Sequence, residues 1–369
     1  MKKLSKFIVG FYVMLGVFCG LSVVYGEDSV NSEKIIWGQS HKYIDNGLGY
    51  KLASIDNKIF SAHFYDDENW LMIGKPKYDN IIEWHNTGTY DKSAYTTINA
   101  LASLGDKLIE VHCHSNSASQ FLYKVGTYDG NNVQWGPSVD LQPKGRRISA
   151  MTSINNKIVG INGGDYFLGS LNENNTIDWS QYDTEFAQFD EGLSSITAIG
   201  DKNKVIAVVA NHNDSHKHLF YNIGTLKGNH IEWNKNGYIS IPAAPYAWSP
   251  SITYDSKKKQ LVVVYDEGEE QEGVFQTKDS LICISGKLNS DDTVTWSEGE
   301  YIGTGSNPNI TFADGKIVLN FSTIDLGNNV FYRIGRIKGS ISSYKKVKVI
   351  NNTNTQLRVE VKIKPAKEV

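Results

Sequence analysis

Two stretches of this sequence, KVGTYDGNNVQWG (residues 124–136) and NIGTLKGNHIEWN (residues 222–234), repeat almost the same phrase. Each places a glycine nine residues before a tryptophan, with a segment containing Asn and Gly between them. Segments of this composition join the strands of tight hairpins, because the turn backbone must reach positive φ. The phrase therefore predicts a β-hairpin that the chain uses more than once.

A glycine followed nine or ten residues later by a tryptophan recurs along the chain. The pairs are Gly74/Trp84, Gly126/Trp135, Gly169/Trp179, Gly224/Trp233 and Gly286/Trp296. Gly335 repeats the spacing with Tyr344, and Trp37 precedes the series without a partner. A repeat of about fifty residues without helical periodicity predicts four short strands per unit. We therefore expect an all-β fold, a β-propeller of six blades, each with four antiparallel strands.

A seventh blade is the alternative, because the strand around Trp37 and the tail after Tyr344 could form one. The second unit shows the expected strand order, with three strands at residues 97–103, 107–113 and 121–125 and a fourth that begins at 133–135. We expect the repeated glycines and tryptophans to serve the scaffold, with the tryptophans wedged between blades. Stacking of these tryptophans against sugars is the alternative.

The two ends of the chain differ from the repeats. Residues 1–26 combine early lysines with an apolar run and small residues before position 27, which predicts a signal peptide and a secreted protein. An uncleaved membrane anchor is the alternative. Residues 27–344 are the β-propeller repeats. Residues 345–369 read as two basic strands, which predicts a C-terminal hairpin that closes or caps the propeller.

Composition excludes several classes of partner. Of 369 residues, 21% are charged and 40% hydrophobic, and the formal net charge is −3. Nothing here indicates a nucleic-acid partner, and no later segment reaches the length of a membrane span. After residue 26 only Cys113 and Cys283 remain, so the fold depends on its core. We expect no cofactor and no bound metal, although His112 and His114 alternate on one strand.

The lengths of the connections predict which side of the propeller binds a ligand. Turns between first and second strands, and between third and fourth, are short, whereas the other connections are long and emerge on the opposite side. We predict no catalytic residues, and a ligand site built from polar and aromatic side chains. The candidate residues are Tyr43, Asp45, His63, Tyr90, Asp91, His112, Tyr246 and Trp248.

Short motifs give the repeat a family resemblance. They are WGQSHKYIDNG from Trp37, IEVH from Ile109, LYKVG from Leu122, LFYNIG from Leu219 and VFYRIG from Val330. In period and aromatic content this pattern resembles the secreted bacterial propeller lectins of the tectonin and PLL-like type. The resemblance implies several shallow sugar pockets, between or on the blades. Later units lack the Y-D-x-G and V-H elements, which argues against equal sites in every blade.

The sequence thus predicts a secreted, non-catalytic, lectin-like carbohydrate-binding propeller with multivalent glycan recognition, whose partners are glycans or glycoconjugates. Aromatic faces would stack on sugar C–H groups while Asp, Asn and His hold the hydroxyls. Two alternatives predict different surfaces. A carbohydrate-active enzyme, such as a glycoside hydrolase or sialidase-like protein, needs convergent carboxylates in the central funnel. A protein-docking propeller needs a broad apolar patch.

Overall fold

The computed structural model describes most of the repeat region. The described residues are 34–66, 68–77, 80–91, 96–114, 120–141, 147–162, 165–182, 193–210, 218–234, 239–241, 244, 247–271, 274–323, 329–338, 348–352 and 356–360. The predicted signal peptide lies outside them. Two compact units are distinguished, one of residues 36–336 and the other of residues 1–35 with 337–369.

The first strands in the chain are followed by two complete four-stranded sheets. The strands are β1 (Ile35–Trp37), β2 (His41–Ile44), then β3 (Leu48–Ile55), β4 (Lys58–Tyr65), β5 (Glu68–Pro76) and β6 (Ile82–Asp91) in blade 1, and β7 (Thr96–Leu104), β8 (Lys107–His114), β9 (Phe121–Tyr128), β10 (Val133–Trp135) and the short β11 (Val139–Asp140) in blade 2.

Three further sheets continue the same order. They contain β12 (Ala150–Ile154), β13 (Lys157–Asn162), β14 (Asp165–Leu171) and β15 (Ile177–Tyr182) in blade 3; β16 (Ser194–Ile199), the 3₁₀ turn Gly200–Lys202, β17 (Lys204–Ala210), β18 (Leu219–Lys227), β19 (His230–Trp233) and β20 (Ile239–Ser240) in blade 4; and β21 (Ala247–Asp255), β22 (Gln260–Gln271), β23 (Val274–Leu288), β24 (Val294–Trp296) and β25 (Glu300–Thr304) in blade 5.

The sixth sheet joins the two ends of the repeat region. It contains β26 (Ser306–Ala313), β27 (Lys316–Thr323) and β28 (Asn329–Ile337), and its outer strand is β1, with β2 beside it. The six sheets confirm the six-bladed all-β propeller with four-stranded antiparallel blades. The strand at Trp37 belongs to blade 6, so its assignment to a seventh blade was wrong.

Trp37, not Tyr344, takes the tryptophan place of the last repeat. The backbone N–H after each outer tryptophan donates to the carbonyl before the repeat glycine. Gly38 does this to Ile334 at 2.9 Å, as Gly136 does to Val125 at 2.9 Å. The pairing of Gly335 with Tyr344 is therefore corrected. The spacing in the sequence misassigned this repeat because its outer strand comes from the start of the repeat region and pairs with the end.

The repeat glycine makes room for the tryptophan of its own blade. In blade 4, Gly224 pairs with Trp233 across β18 and β19. A Cβ on Gly224 would lie 2.8 Å from the Trp233 ring and 2.4 Å from Ile231. Equivalent clashes occur at Gly74, Gly126, Gly169 and Gly286. The absence of a side chain is thus what lets the indole lie flat against the third strand.

A tyrosine three residues before the glycine then covers the tryptophan of the next blade. In blade 3 this residue is Tyr166, whose ring meets that of Trp233 edge-on at 6.0 Å. Its hydroxyl oxygen accepts the backbone N–H of Ile231 at 3.1 Å. We call this arrangement the tyrosine staple. The other staples are Tyr332 on Trp84, Tyr123 on Trp179 and Tyr221 on Trp296, with N–H to hydroxyl distances of 3.0–3.1 Å.

Two blade junctions carry another residue at the staple position. Leu71 occupies it in blade 1 and Cys283 in blade 5. Both side chains are buried, Leu71 at 1% exposure. A leucine cannot bond to the next blade's backbone and is shorter than a tyrosine. The junction of blades 1 and 2 is therefore packed differently from the stapled junctions.

The second compact unit contains a hairpin. In it β29 (Lys348–Asn352) pairs antiparallel with β30 (Gln356–Glu360), and Ile350 lies opposite Arg358. These two strands fall within the segment 345–369 for which the sequence predicted a hairpin. Its role in closing or capping the propeller stays a prediction.

Adding a methyl group at the repeat glycine should destabilise the fold. We expect Gly224→Ala to lower the free energy of unfolding by about 1–3 kcal/mol, because the new Cβ overlaps Ile231 and Trp233. Gly200→Ala is the control, since a Cβ there meets nothing within 4 Å. Thermal and urea unfolding would measure both. Equal stability of the two variants would contradict the packing role of the glycine.

Removing a staple hydroxyl should also cost stability. Tyr166→Phe keeps the ring contact but leaves the buried N–H of Ile231 without its acceptor, so we expect a loss of about 1–3 kcal/mol. Tyr301→Phe serves as control, because Tyr301 is 59% exposed. Urea unfolding measures the difference. If Tyr166→Phe were as stable as its control, the hydroxyl would not hold the blades.

Candidate functional site

A pocket lies at the junction of blades 1 and 2, where the tyrosine staple is missing. It has a volume of about 230 Å³. The end of β6 forms one wall and β10, with the turn before it, forms the other. The lining residues are Thr87, Gly88, Thr89, Tyr90, Asn132, Val133 and Trp135.

The pocket occupies the space that a staple tyrosine on β5 would fill if one were present in place of Leu71. Leu71, at the staple position, pairs across the strands with Gly88. Val133 and Trp135 are the counterparts of Ile82 and Trp84, which Tyr332 contacts at a stapled junction. Gly88, Val133 and Trp135 all line the pocket. The shorter leucine therefore accounts for the open space.

The pocket combines aromatic and polar groups. The Tyr90 ring stacks on Trp135 with centroids 4.6 Å apart. Thr87 donates its hydroxyl proton to the carbonyl of Leu71 at 2.8 Å, and its oxygen keeps lone pairs that can accept. Asn132 is exposed. Trp135 has β9 against one face and Tyr90 against the other, so the pocket offers the edges of these two rings. Ring edges beside hydroxyl and amide groups can contact a small molecule that has both C–H and O–H surfaces.

Buried charges lie beside this pocket. His112 Nδ1 is 3.0 Å from Glu110 Oε2, and both side chains are fully buried. Lys124 Nζ is 2.8 Å from Asp91 Oδ2. Burial opposes protonation of His112, but the Glu110 carboxylate outweighs this and raises the pKa of His112 above its usual value. Burial first, then Glu110 and Asp91, raise the pKa of Tyr90 well above the ordinary tyrosine value.

The structure brings three of the predicted site residues together at this junction. Tyr90 lines the pocket, Asp91 is bonded to Lys124, and His112 lies buried against Glu110. Only Tyr90 reaches the pocket, and the other two support the wall around it. Ion pairs of this kind hold a scaffold in place as readily as they prepare a site.

Tyr43 and Asp45 lie elsewhere, at the junction of blades 6 and 1. Tyr43 stacks on Trp84 with centroids 4.6 Å apart, and its hydroxyl is 2.9 Å from Ser61 Oγ and bonded to Asn320. Burial raises its pKa above the ordinary tyrosine value. Asp45 is exposed and pairs with Lys42 at 2.8 Å. Tyr43 thus fills the junction, and Asp45 faces solvent.

The remaining predicted residues are dispersed. His63 is 5% exposed, and burial lowers its pKa from 6.5 to about 4, so it is neutral at pH 7. Trp248 is half-buried at the start of β21, opposite Asp266. Tyr246 lies outside the described residues.

A second cavity runs along the axis of the propeller and was not predicted as a site. It has a volume of about 510 Å³ and is lined by the starts of the first strands of all six blades. Among its described lining residues are Lys51 and Arg147, with many Ser and Asn side chains, and neither Asp nor Glu. The convergent carboxylates that a hydrolase needs are therefore not found in this lining.

Sequence reasoning missed Leu71, Thr87, Asn132 and Lys51. The staple tyrosines were visible as a repeated Tyr three residues before Gly, and Leu71 breaks that pattern. Thr87 and Asn132 had no such signal, because they matter only where the staple is absent. The role of Lys51 could not be predicted either, because its place in the axial cavity depends on how the strands of different blades are aligned.

Comparison with solved structures shows the same fold. The structure of YjhT matches with a TM-score of 0.53 at 9% identity, over 79% of this chain and 94% of that one. The Trypanosoma rangeli sialidase matches with a TM-score of 0.49 at 10% identity, over 80% and 55%. A mutant of the GH43 protein BlXynB from Bacillus licheniformis gives 0.43 at 10% identity, over 72% and 59%. At 9% identity, the match to the structure of YjhT shows the fold alone.

Comparisons of the sequence add no family. No protein-family model matches the chain, and no curated protein matches it significantly. Within the described residues there is no group of three or more His, Cys, Asp or Glu side chains that could hold a metal ion. The part of the chain that the structure describes contains no helix long and apolar enough to cross a membrane.

The two buried histidines should affect stability in opposite directions with pH. His63 has a folded pKa of about 4, so the unfolded chain alone takes up its proton as pH falls from 6.5, which costs roughly 3 kcal/mol by pH 4. His63→Gln should remove this loss. The pKa of His112 is raised, so its contribution is present below pH 6.5 and is lost as pH rises through the folded value.

Urea unfolding of the wild type, His63→Gln and His112→Gln between pH 4.5 and 8 measures both effects. Relative to wild type, we expect His63→Gln to gain stability toward acid and His112→Gln to lose it. Parallel pH profiles for the two variants would contradict these environments.

Proposed function

We propose that this protein is a secreted, lectin-like propeller that binds glycans without catalysis, at the pocket between blades 1 and 2. One observation carries the proposal. At this junction Leu71 leaves open, beside Trp135, the space that a tyrosine fills at four others.

The chemistry of the pocket suits a sugar. At about 230 Å³ it is smaller than the roughly 300–1,000 Å³ of drug-sized sites, which fits a single sugar unit. The edges of the stacked Trp135 and Tyr90 rings offer apolar contacts for sugar C–H groups, and Thr87 and Asn132 offer acceptors and donors for hydroxyls. A terminal sugar of a glycan would enter with its chain directed to solvent.

The tyrosine staples limit how many such pockets the proposal includes. Four junctions have a staple where this pocket lies, so the several pockets that the resemblance implies are not part of the proposal. Tyr246 and Trp248 remain a second proposed contact. Secretion by a cleaved leader also remains a proposal, carried by residues 1–26.

The alternatives have weaker support. An enzyme needs facing carboxylates, and the described lining of the axial cavity offers none. A docking face needs a broad apolar patch. In the described residues the large apolar side chains that are exposed are Ile36, Tyr65, Ile81 and Tyr301.

A glycan array with pocket variants tests the proposal. We expect Leu71→Tyr to fill the pocket and reduce the signal more than tenfold while the protein stays folded. Asn132→Ala should reduce it about fivefold, as expected for one hydrogen bond of ~1 kcal/mol. The matched control is His230→Ala, because the exposed His230 holds the equivalent position in blade 4.

Three results would contradict the proposal. A blank array for the folded wild type would favour protein docking. Loss of the printed sugars during incubation would indicate an enzyme. Binding that survives Leu71→Tyr would move the site away from this pocket.

A further inference from the structure

The first strands of blades 4, 5, 6 and 1 are linked around the axis by a repeated hydrogen bond, which we call the ring bond. A side-chain oxygen in one blade accepts the backbone N–H of the next blade. Ser195 accepts from Ile252 at 3.2 Å, Ser251 from Ile310 at 2.9 Å, and Asn309 from Leu52 at 2.7 Å. Serine and asparagine suit this position because their oxygens accept.

Lys51 occupies the same position in blade 1. It precedes Leu52, which lies opposite Ser61 of β4, just as Asn309 precedes Ile310, which lies opposite Leu319 of β27. An ammonium group has three donors and no acceptor, so Lys51 cannot make the ring bond that Ser195, Ser251 and Asn309 make. Blades 2 and 3 carry Ala100 and Ala150 at this position, which have no side-chain acceptor either, but Lys51 differs from them in its charge. The ring bond therefore does not explain this lysine, which instead lines the axial cavity.

Lys51 shares the cavity with a second cation. Arg147 lines the same space, and neither residue has a carboxylate partner among the described residues. Burial, and next the charge of Arg147, lower the pKa of Lys51 from 10.5 to about 8. Lys51 is half-buried and Arg147 is exposed. Their like charges repel each other, and a bound anion relieves this repulsion and the loss of hydration at Lys51.

One buried carboxylate lies behind the wall of the cavity. Asp266 lies behind Asn307, whose backbone N–H it accepts at 2.8 Å, and its side chain is not part of the lining. Burial raises the pKa of Asp266 well above the usual value. The described lining of the cavity therefore has a net positive charge.

We propose that the axial cavity binds a small anionic molecule that carries a carboxylate or phosphate together with hydroxyl groups. Lys51 and Arg147 bind the anionic group, and Ser149, Ser194 and Asn99 are placed to meet the hydroxyls. A volume of about 510 Å³ lies within the roughly 300–1,000 Å³ of small-molecule sites. This site is separate from the glycan pocket, because the two share no lining residue.

Calorimetric titration of the full chain tests the proposal. The probes are inorganic phosphate, glucuronate and glucose 6-phosphate, with neutral glucose as reference. They distinguish a phosphate from a carboxylate source, and a bare ion from one joined to a sugar. We expect at least one anionic probe to bind at least tenfold more tightly than glucose, with one molecule per chain.

Variants then locate the binding. Lys51→Gln and Arg147→Gln should each weaken it about tenfold or more. Lys257→Gln, which removes an exposed lysine in the turn after β21, should leave it unchanged. Because Lys51 makes no ring bond, its variant should unfold at or above the wild-type temperature, which separates loss of the site from loss of the fold.

Three results would overturn the proposal. They are the absence of binding by every anionic probe, glucose binding as tightly as the anions, or anion binding unchanged in a folded Lys51→Gln/Arg147→Gln double variant. Leu71→Tyr should bind the anion normally, so failure of the glycan pocket and failure of the axial site are distinguishable.

Discussion

The contact between a tyrosine of one blade and the tryptophan of the next organises this propeller. It depends on a glycine that gives the tryptophan room, and on a hydroxyl that accepts a buried backbone N–H, as in Tyr166 over Trp233 and Ile231. An edge-on aromatic pair contributes about 0.5–1.5 kcal/mol beyond its buried area. Repetition of this contact fixes how neighbouring blades meet, so each departure from it changes the junction.

Both candidate sites arise where one blade departs from the repeat. Leu71 replaces a staple tyrosine and leaves a pocket, and Lys51 replaces an acceptor in the axial ring and leaves a charge. A repeat makes such departures informative, because the other blades show what the scaffold alone requires. A residue that cannot make the contact found at its position in other blades, and that lines a cavity, is therefore a candidate for a functional role.

The sequence predicted the scaffold better than the sites. The glycine–tryptophan spacing gave the strands, because both residues serve one local hairpin. It misplaced the last repeat, since Trp37 reaches Gly335 only through ring closure. Tyr43 and Tyr90 stand six residues after a tryptophan and look alike, yet one fills a junction and the other lines a pocket. The difference depends on their neighbours. Tyr332, from the distant strand β28, packs against Tyr43, and Leu71, from the adjacent strand β5, packs in the cluster that contacts Tyr90. Local patterns do not contain such contacts.

The sixth blade has a consequence for the order of folding. Its outer strand is separated from its third strand by roughly 300 residues, and bringing such distant segments together carries the largest loop-closure entropy in the ring. Blades 1 to 5 can each form from a contiguous segment of the chain. The ring can close only after β28 has been made, and only if β1 is still unpaired at that time. Contacts of such long sequence range form slowly. The early strand must therefore stay free of other partners, during synthesis and during any passage across a membrane, until the end of the repeat region arrives.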